Sequence, residues 1–313
     1  MFYPFTGLFL TMMMQHNRFL SFGLVLWGIL GTAAIANGVT VSLPDGGQCE
    51  GEVVEGQLQG PVICVYGNGD RYEGEFVGGE KEGEGIYTFA ADGRYEGEFQ
   101  GGQIQGRGIR EYGNGDRYEG EFEAGLPHGQ GTFSTTDGGS YTGEFVAGIP
   151  NGEGTFVFSD GERCTGTVID GDLMGPGVCE YSNGDRYEGS LKNNLPDGEG
   201  TFTFSDGSQY TGEVALGAIT GEGVYTLTNG NEYAGEFVGG NFMGQGTFTF
   251  SNGDRCEGEF RDNLLNGPGV CAYADGDRYE GNFQNDLYQG AGVYIFSDGT
   301  RIEGTWAAGE LVE

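Results

Sequence analysis

Six cysteines fall into three pairs, Cys49 and Cys64, Cys164 and Cys179, Cys256 and Cys271, with fourteen residues between the members of each pair. Thiols so spaced can bridge as disulfides, pack as small hydrophobes or bind a metal. Zinc fits worst, because no C-x2-C occurs and the only histidines are His16 and His128. Asp70, Asp116, Asp185, Asp254 and Asp277 stand in N-G-D or D-G-D turns. With nearby glutamates they offer oxygen ligands to Ca²⁺, although neither EF-hand nor calcium-nonapeptide spacing is present. Acid–base catalysis has little to work with. His128, Lys81 and Lys192 are the only histidine and lysines after residue 36, and glutamate pairs such as Glu73 and Glu75 recur too uniformly to be one tuned site. The G-x-G pieces lie inside hairpin patterns and open no helix, so they are not nucleotide loops. Neither an enzyme nor a cofactor is expected.

The charge balance narrows the partners. A net charge of −33 opposes nucleic acid, whose binding depends on neutralising phosphates, and opposes docking on anionic membranes. Sixty-six glycines beside abundant Tyr and Phe, without a G-X-Y period, point to β structure with frequent turns. The N-terminus is a separate object. Arg18 precedes an apolar run that ends in Ala34-Ile35-Ala36, so residues 1–36 read as a secretory signal peptide cleaved between Ala36 and Asn37. An uncleaved membrane anchor over residues 19–36 is the alternative. Starting at Met12, Met13 or Met14 instead of Met1 would leave a signal of ordinary length. Either way the remainder is exported, whether secreted, periplasmic or at the cell surface.

From residue 49 onward the chain is one repeat. Twelve copies begin at Cys49, Tyr72, Tyr95 and so on to Ile302 at a strict 23-residue period, and residues 37–48 form half a copy or cap before them. Counting the first residue of a copy as phase 0, that phase is Tyr in eight copies and Cys in three. Phase 2 is always glycine, phase 4 is bulky and apolar, and phases 15 and 17 are mostly aromatic, as at Phe202 and Phe204. The alternation at phases 0, 2 and 4 has the period of a strand, with Tyr, Gly and Phe on one face and Glu on the other. Phase 7 is Gly, Asn or Asp, which marks a left-handed turn position. The N-G-D and S-D-G pieces near phases 19–21 mark a second turn. The expected fold is all-β: an elongated, single-layer, twisted antiparallel meander of about 24 strands, one hairpin per copy.

The pattern Y-E-G-E-F-x-x-G-x-x-x-G-x-G resembles the MORN repeat over residues 49–313, with phase 4 occupied by Phe, Val or Leu and by Trp only at Trp306. The resemblance implies a twisted sheet of hairpins. It leaves the activity open among protein scaffold, dimerisation module, lipid binder and appendage of an enzyme.

Within such a hairpin, phase 4 facing phase 11 sets phase 0 opposite phase 15. Each cysteine pair occupies those two phases of a single copy, close enough to bridge, so disulfides Cys49–Cys64, Cys164–Cys179 and Cys256–Cys271 are expected. Buried thiols are the alternative. Phase 22 is Arg in eight of eleven copies, and cross-strand pairing with the glutamates of the polar face is expected. The aromatic face is the candidate binding surface. Arg110 interrupts its stripe between Tyr87 and Phe133, where it is expected to lie over those rings or mark a groove. The favoured function is an exported scaffold that binds unknown protein partners along its length or through its ends, where an uncapped edge also invites self-association. An envelope module for polysaccharide or Ca²⁺ is the alternative, and a membrane-lipid binder ranks third.

Overall fold

The computed structural model describes residues 38–312. The signal, anchor, cleavage-site and start-codon expectations lie outside them. The described residues divide into two compact units, 38–172 and 173–312. Both are built from antiparallel strands alone, and no helix of the described residues is long and apolar enough to cross a membrane. Strand β1 is Val39–Ser42. Each copy but the twelfth then supplies a seven-residue and a nine-residue strand: β2 (Gln48–Val54) and β3 (Gln57–Val65) in the first, β4 (Arg71–Val77) and β5 (Glu80–Thr88) in the second. The series runs on to β24 (Arg301–Ala307) and β25 (Glu310–Leu311).

The hairpin register differs from the expected one near the turn. Phase 0 does face phase 15, as in Tyr72↔Tyr87, but phase 4 faces phase 9, as in Phe99↔Ile104. A shift between Gly97 and Phe99 absorbs the difference, so the nine-residue strand carries a bulge. Its glycine at phase 11 is left-handed, for example Gly106 at φ 70° and Gly198 at φ 112°. That requirement keeps phase 11 glycine.

The shifted register leaves a two-residue turn at phases 6 and 7, with positive φ at both, the hallmark of a type I′ hairpin. Phase 7 carries the expected Gly, Asn or Asp. Phase 6 is also left-handed, and there the chain tolerates Glu55, Ala124, Ala147 and Leu216 near φ 50°. Leu216 is 76% exposed, so no packing offsets its conformation. Leu216→Asn should therefore stabilise the protein by about 1 kcal/mol, read as a higher denaturant midpoint at unchanged m-value.

Successive hairpins are stitched at both ends. At the type I′ tips, Gly102 N–H donates to the Lys81 carbonyl (3.0 Å) and Gly125 N–H to that of Ile104 (2.9 Å). At the other end the phase-21 side chain reaches into the next copy's turn: Asp116 accepts from the Thr136 N–H at 3.1 Å and Asp254 from that of Ala274 at 2.9 Å. The Arg–Glu pairs of the polar face run along one strand instead of across two. Arg94 and Glu96 meet at 2.6 Å and Arg186 and Glu188 at 2.7 Å, because residues two apart on a strand share a face. Arg94 adds a cross-strand carboxylate, Glu111 at 3.1 Å, and Arg255 a cross-strand hydroxyl, to which its guanidinium donates, Thr247 at 3.2 Å.

Candidate functional site

The apolar face is assembled from rings laid on glycines. Each phase-0 tyrosine is fully buried and lies over the phase-2 and phase-13 glycines of its own hairpin. A Cβ built on Gly292 would sit 2.7 Å from the Tyr279 Cζ. The phenol turns back to the strand: Tyr118 donates to the carbonyls of Glu121 (2.9 Å) and His128 (3.3 Å). Phase-4 rings then close on both edges of the tyrosine. Tyr95 meets Phe99 at 5.3 Å and Phe122 of the next copy at 5.0 Å, both edge-on. This alternation of Tyr and Phe is the core, and burial pushes the Tyr210 and Tyr233 phenols up to about 12.

Beside that ladder runs the row at phases 15 and 17, which is less completely covered. In residues 173–312 it opens into a trough of ≈ 510 Å³ lined by the rings of Phe248, Phe250, Tyr273 and Tyr288, by Leu265 and Leu287, and by the Cys256–Cys271 bridge. Asp254, Asn263 and Asp286 supply its polar atoms. The Tyr273 and Tyr288 hydroxyls hydrogen-bond to each other, which fixes both rings. Across the sheet, a second hollow of ≈ 620 Å³ lies over the glycine rows and presents Glu199, Glu222 and Glu257.

In residues 38–172 two cations lie against the same row, Arg110 from within it and Lys81 from phase 9 beside it. Arg110 is buried, with its guanidinium 3.9 Å from the Phe89 ring and 4.9 Å from that of Tyr112, and paired with Asp92 at 2.5 Å. The rings it covers belong to phase 17, not to Tyr87 and Phe133 as expected, because the side chain extends toward the turn where Asp92 waits. In that copy the D-G order places the acid at phase 20, one residue ahead of its usual place. Burial lowers the Arg110 pKa and the Asp92 carboxylate opposes the shift. Tyr87 instead donates to Asp70 at 2.5 Å, and Phe133 packs against Tyr112. Lys81, at phase 9 where other copies are apolar, sits 4.9 Å from the Tyr87 ring and 5.3 Å from that of Tyr66. Burial lowers its pKa, opposed by Asp70.

The five aspartates proposed for calcium work as turn staples. Asp70, Asp116, Asp185, Asp254 and Asp277 each accept a backbone N–H from the following copy. Among the described residues no group of three or more His, Cys, Asp or Glu is arranged to hold a metal ion. His128 is half exposed with Nδ1 3.3 Å from Glu123. Disulfides join Cys49 to Cys64 and Cys256 to Cys271, Cys164 and Cys179 are disulfide-bonded too, and no described cysteine is free. The trough left no mark in the sequence beyond the ring-rich phases 15 and 17, whereas the staple aspartates were visible as N-G-D and D-G-D turns and only their role was not.

The MORN repeat family matches eleven consecutive stretches of the chain, from residues 49–71 to residues 279–301 without a gap. None of the curated proteins matches it. Among solved structures, the TCP domain of SAS-4 (dCPAP) from Drosophila melanogaster, in complex with a proline-rich motif of Ana2, is 13% identical with a TM-score of 0.34. It covers 60% of this chain and 96% of its own. The TCP10 domain of Danio rerio CPAP, in complex with a peptide of STIL, is 13% identical with a TM-score of 0.34, covering 86% and 100%. Likenesses this distant carry no functional argument. The twelfth copy, which begins at Ile302, lies beyond the matched span yet keeps the hairpin register. Eleven unbroken matches, together with a hairpin per period and tyrosine laid on paired glycines, place this chain in the MORN-repeat family.

Proposed function

We propose that the protein is an exported, non-enzymatic scaffold that seats polypeptide segments of partner proteins on its aromatic face. The observation that carries this is the trough of residues 248–288. There the otherwise ring-sealed face exposes Phe250 (38%) and Leu287 (49%) beside the carboxylates of Asp254 and Asp286. Apolar walls with a few convergent polar groups are the usual make-up of a binding site. The carboxylates, with the chain's acidity, favour a segment that mixes apolar and basic residues. Oxidised cysteines fit an oxidising compartment, in line with export.

The reading is tested by panning a random peptide library against the purified protein. Selected peptides should combine apolar and basic residues, and Phe250→Ala or Tyr273→Ala should weaken them by about tenfold, the loss of roughly 1.4 kcal/mol seen for a well-buried contact. Binders indifferent to both substitutions, with unchanged circular dichroism, would remove the trough from consideration.

A further inference from the structure

By its phases strand β1 is the second strand of a hairpin, and among the described residues no first strand precedes it. Val39, Thr40 and Val41 stand at phases 13, 14 and 15 and pair with Gly51, Glu50 and Cys49 of β2. In a complete copy the strand at these phases is paired on both sides. Gly85, Ile86 and Tyr87 of β5 face Gly97, Glu96 and Tyr95 on one side and Gly74, Glu73 and Tyr72 of β4 on the other. Among the described residues, nothing pairs with the outer side of β1. Strand β24 has the converse opening. It pairs with the preceding strand through Gly304 and Ile302, but on its other side β25 faces Trp306 and Ala307, and the Val312 N–H donates to the Thr305 carbonyl at 2.8 Å. Ile302, Glu303 and Gly304, at phases 0, 1 and 2, face no described strand there.

The side chains at these two edges match each other and not the general pattern. A tyrosine at phase 0 needs glycine at phase 13, since a Cβ on Gly131 would lie 2.5 Å from the Tyr118 Cζ. Where Cys49 replaces the tyrosine, phase 13 becomes Val62, whose Cγ2 fills the space over Gly51, at 2.7 Å from a Cβ placed there. The two open edges repeat that combination: Ile302 at phase 0, Gly304 at phase 2 and Val39 at phase 13. Val39 would exclude a tyrosine, and Ile302 is the one phase-0 residue that is neither Tyr nor Cys. Val41 at phase 15 would complete an aliphatic rung with Ile302 where other copies have an aromatic or a disulfide rung. Val39 is 54% exposed, so its surface is available.

We infer that β24 of one molecule pairs antiparallel with β1 of a second copy of this chain, with Ile302 opposite Val41, Glu303 opposite Thr40 and Gly304 opposite Val39. The junction is heterologous, so each added molecule presents the same free edge again and assembly proceeds unless rotation closes a ring.

The test introduces Ile302→Cys and Val41→Cys together in the full chain. Natural disulfides at these phases span Cα–Cα distances of 4.0 and 4.1 Å, so the oxidised double variant should give a reducible series of dimers and larger multimers. In the otherwise natural chain, sedimentation should show concentration-dependent association. Ile302→Tyr should weaken it at least tenfold, and Ile302→Tyr combined with Val39→Gly should restore it, since the glycine makes room for the ring. Rescue separates a shared junction from general damage to the edge. A monomer at every concentration, a cross-link confined to one chain, or association indifferent to Ile302→Tyr would each overturn the inference.

Discussion

Gly131→Ala is expected to destabilise the hairpin that carries it by about 3 kcal/mol, the upper part of the range for overpacking a filled site. The substitution adds only a methyl group. Its Cβ would stand 2.5 Å from the Tyr118 Cζ and 2.6 Å from Cε2, so the ring has to move. The ring has nowhere to go. Its hydroxyl is tied to the Glu121 and His128 carbonyls, and Phe122 and Phe145 close on its edges at 5.0 and 4.9 Å. Repeat arrays lose stability locally, so hydrogen exchange should report lost protection in that hairpin and its neighbours before the rest of the chain. Unchanged protection around Tyr118 would show that the ring yields, and the account of the glycine pairs would fall with it.

Reduction of the disulfides is the other large effect. Each observed bridge joins residues fifteen apart, which corresponds to about 3 kcal/mol per bridge in the chain-entropy description. Reductant should therefore lower the denaturant midpoint markedly. The two copies should then differ in how they accept a replacement rung. Cys256→Tyr with Cys271→Tyr recreates the Tyr72↔Tyr87 pairing, and Gly258 and Gly269 already provide the seat a ring needs. That variant should keep its second-unit hairpin stable in reductant. Cys49→Tyr meets Val62 at phase 13 and should be destabilising until Val62→Gly is added. Equal tolerance at both copies, measured by denaturation in reductant, would contradict the rule that tyrosine and the phase-13 side chain exclude each other.

Much of the fold is legible in the sequence, and for a physical reason. A strict period forces every copy into the same local conformation, so the phase-0 to phase-15 pairing and its cysteine bridges were legible, although they arise from phase 4 facing phase 9 plus a bulge and not from phase 4 facing phase 11. The fixed glycines mark places where backbone or ring leaves no room for a side chain. Counting stops where a strand changes register. Period-two alternation is blind to a bulge, so the pairing of Phe99 with Ile104, and the left-handed positions at Ala124 and Leu216, needed the backbone itself. Side-chain partners set by reach were also out of view. Asp116 and Asp254 offered oxygens in the sequence, and only the stacking of one turn on the next spends them on Thr136 and Ala274. Arg110 was visible as an interruption, while its seat between Phe89, Tyr112 and Asp92 depends on a turn whose Asp-Gly order differs from its neighbours. The trough at Phe250 and Tyr273 belongs wholly to tertiary structure: the ring types there are those of other copies, and whether neighbouring rings close over the row or leave it open is decided by how they pack.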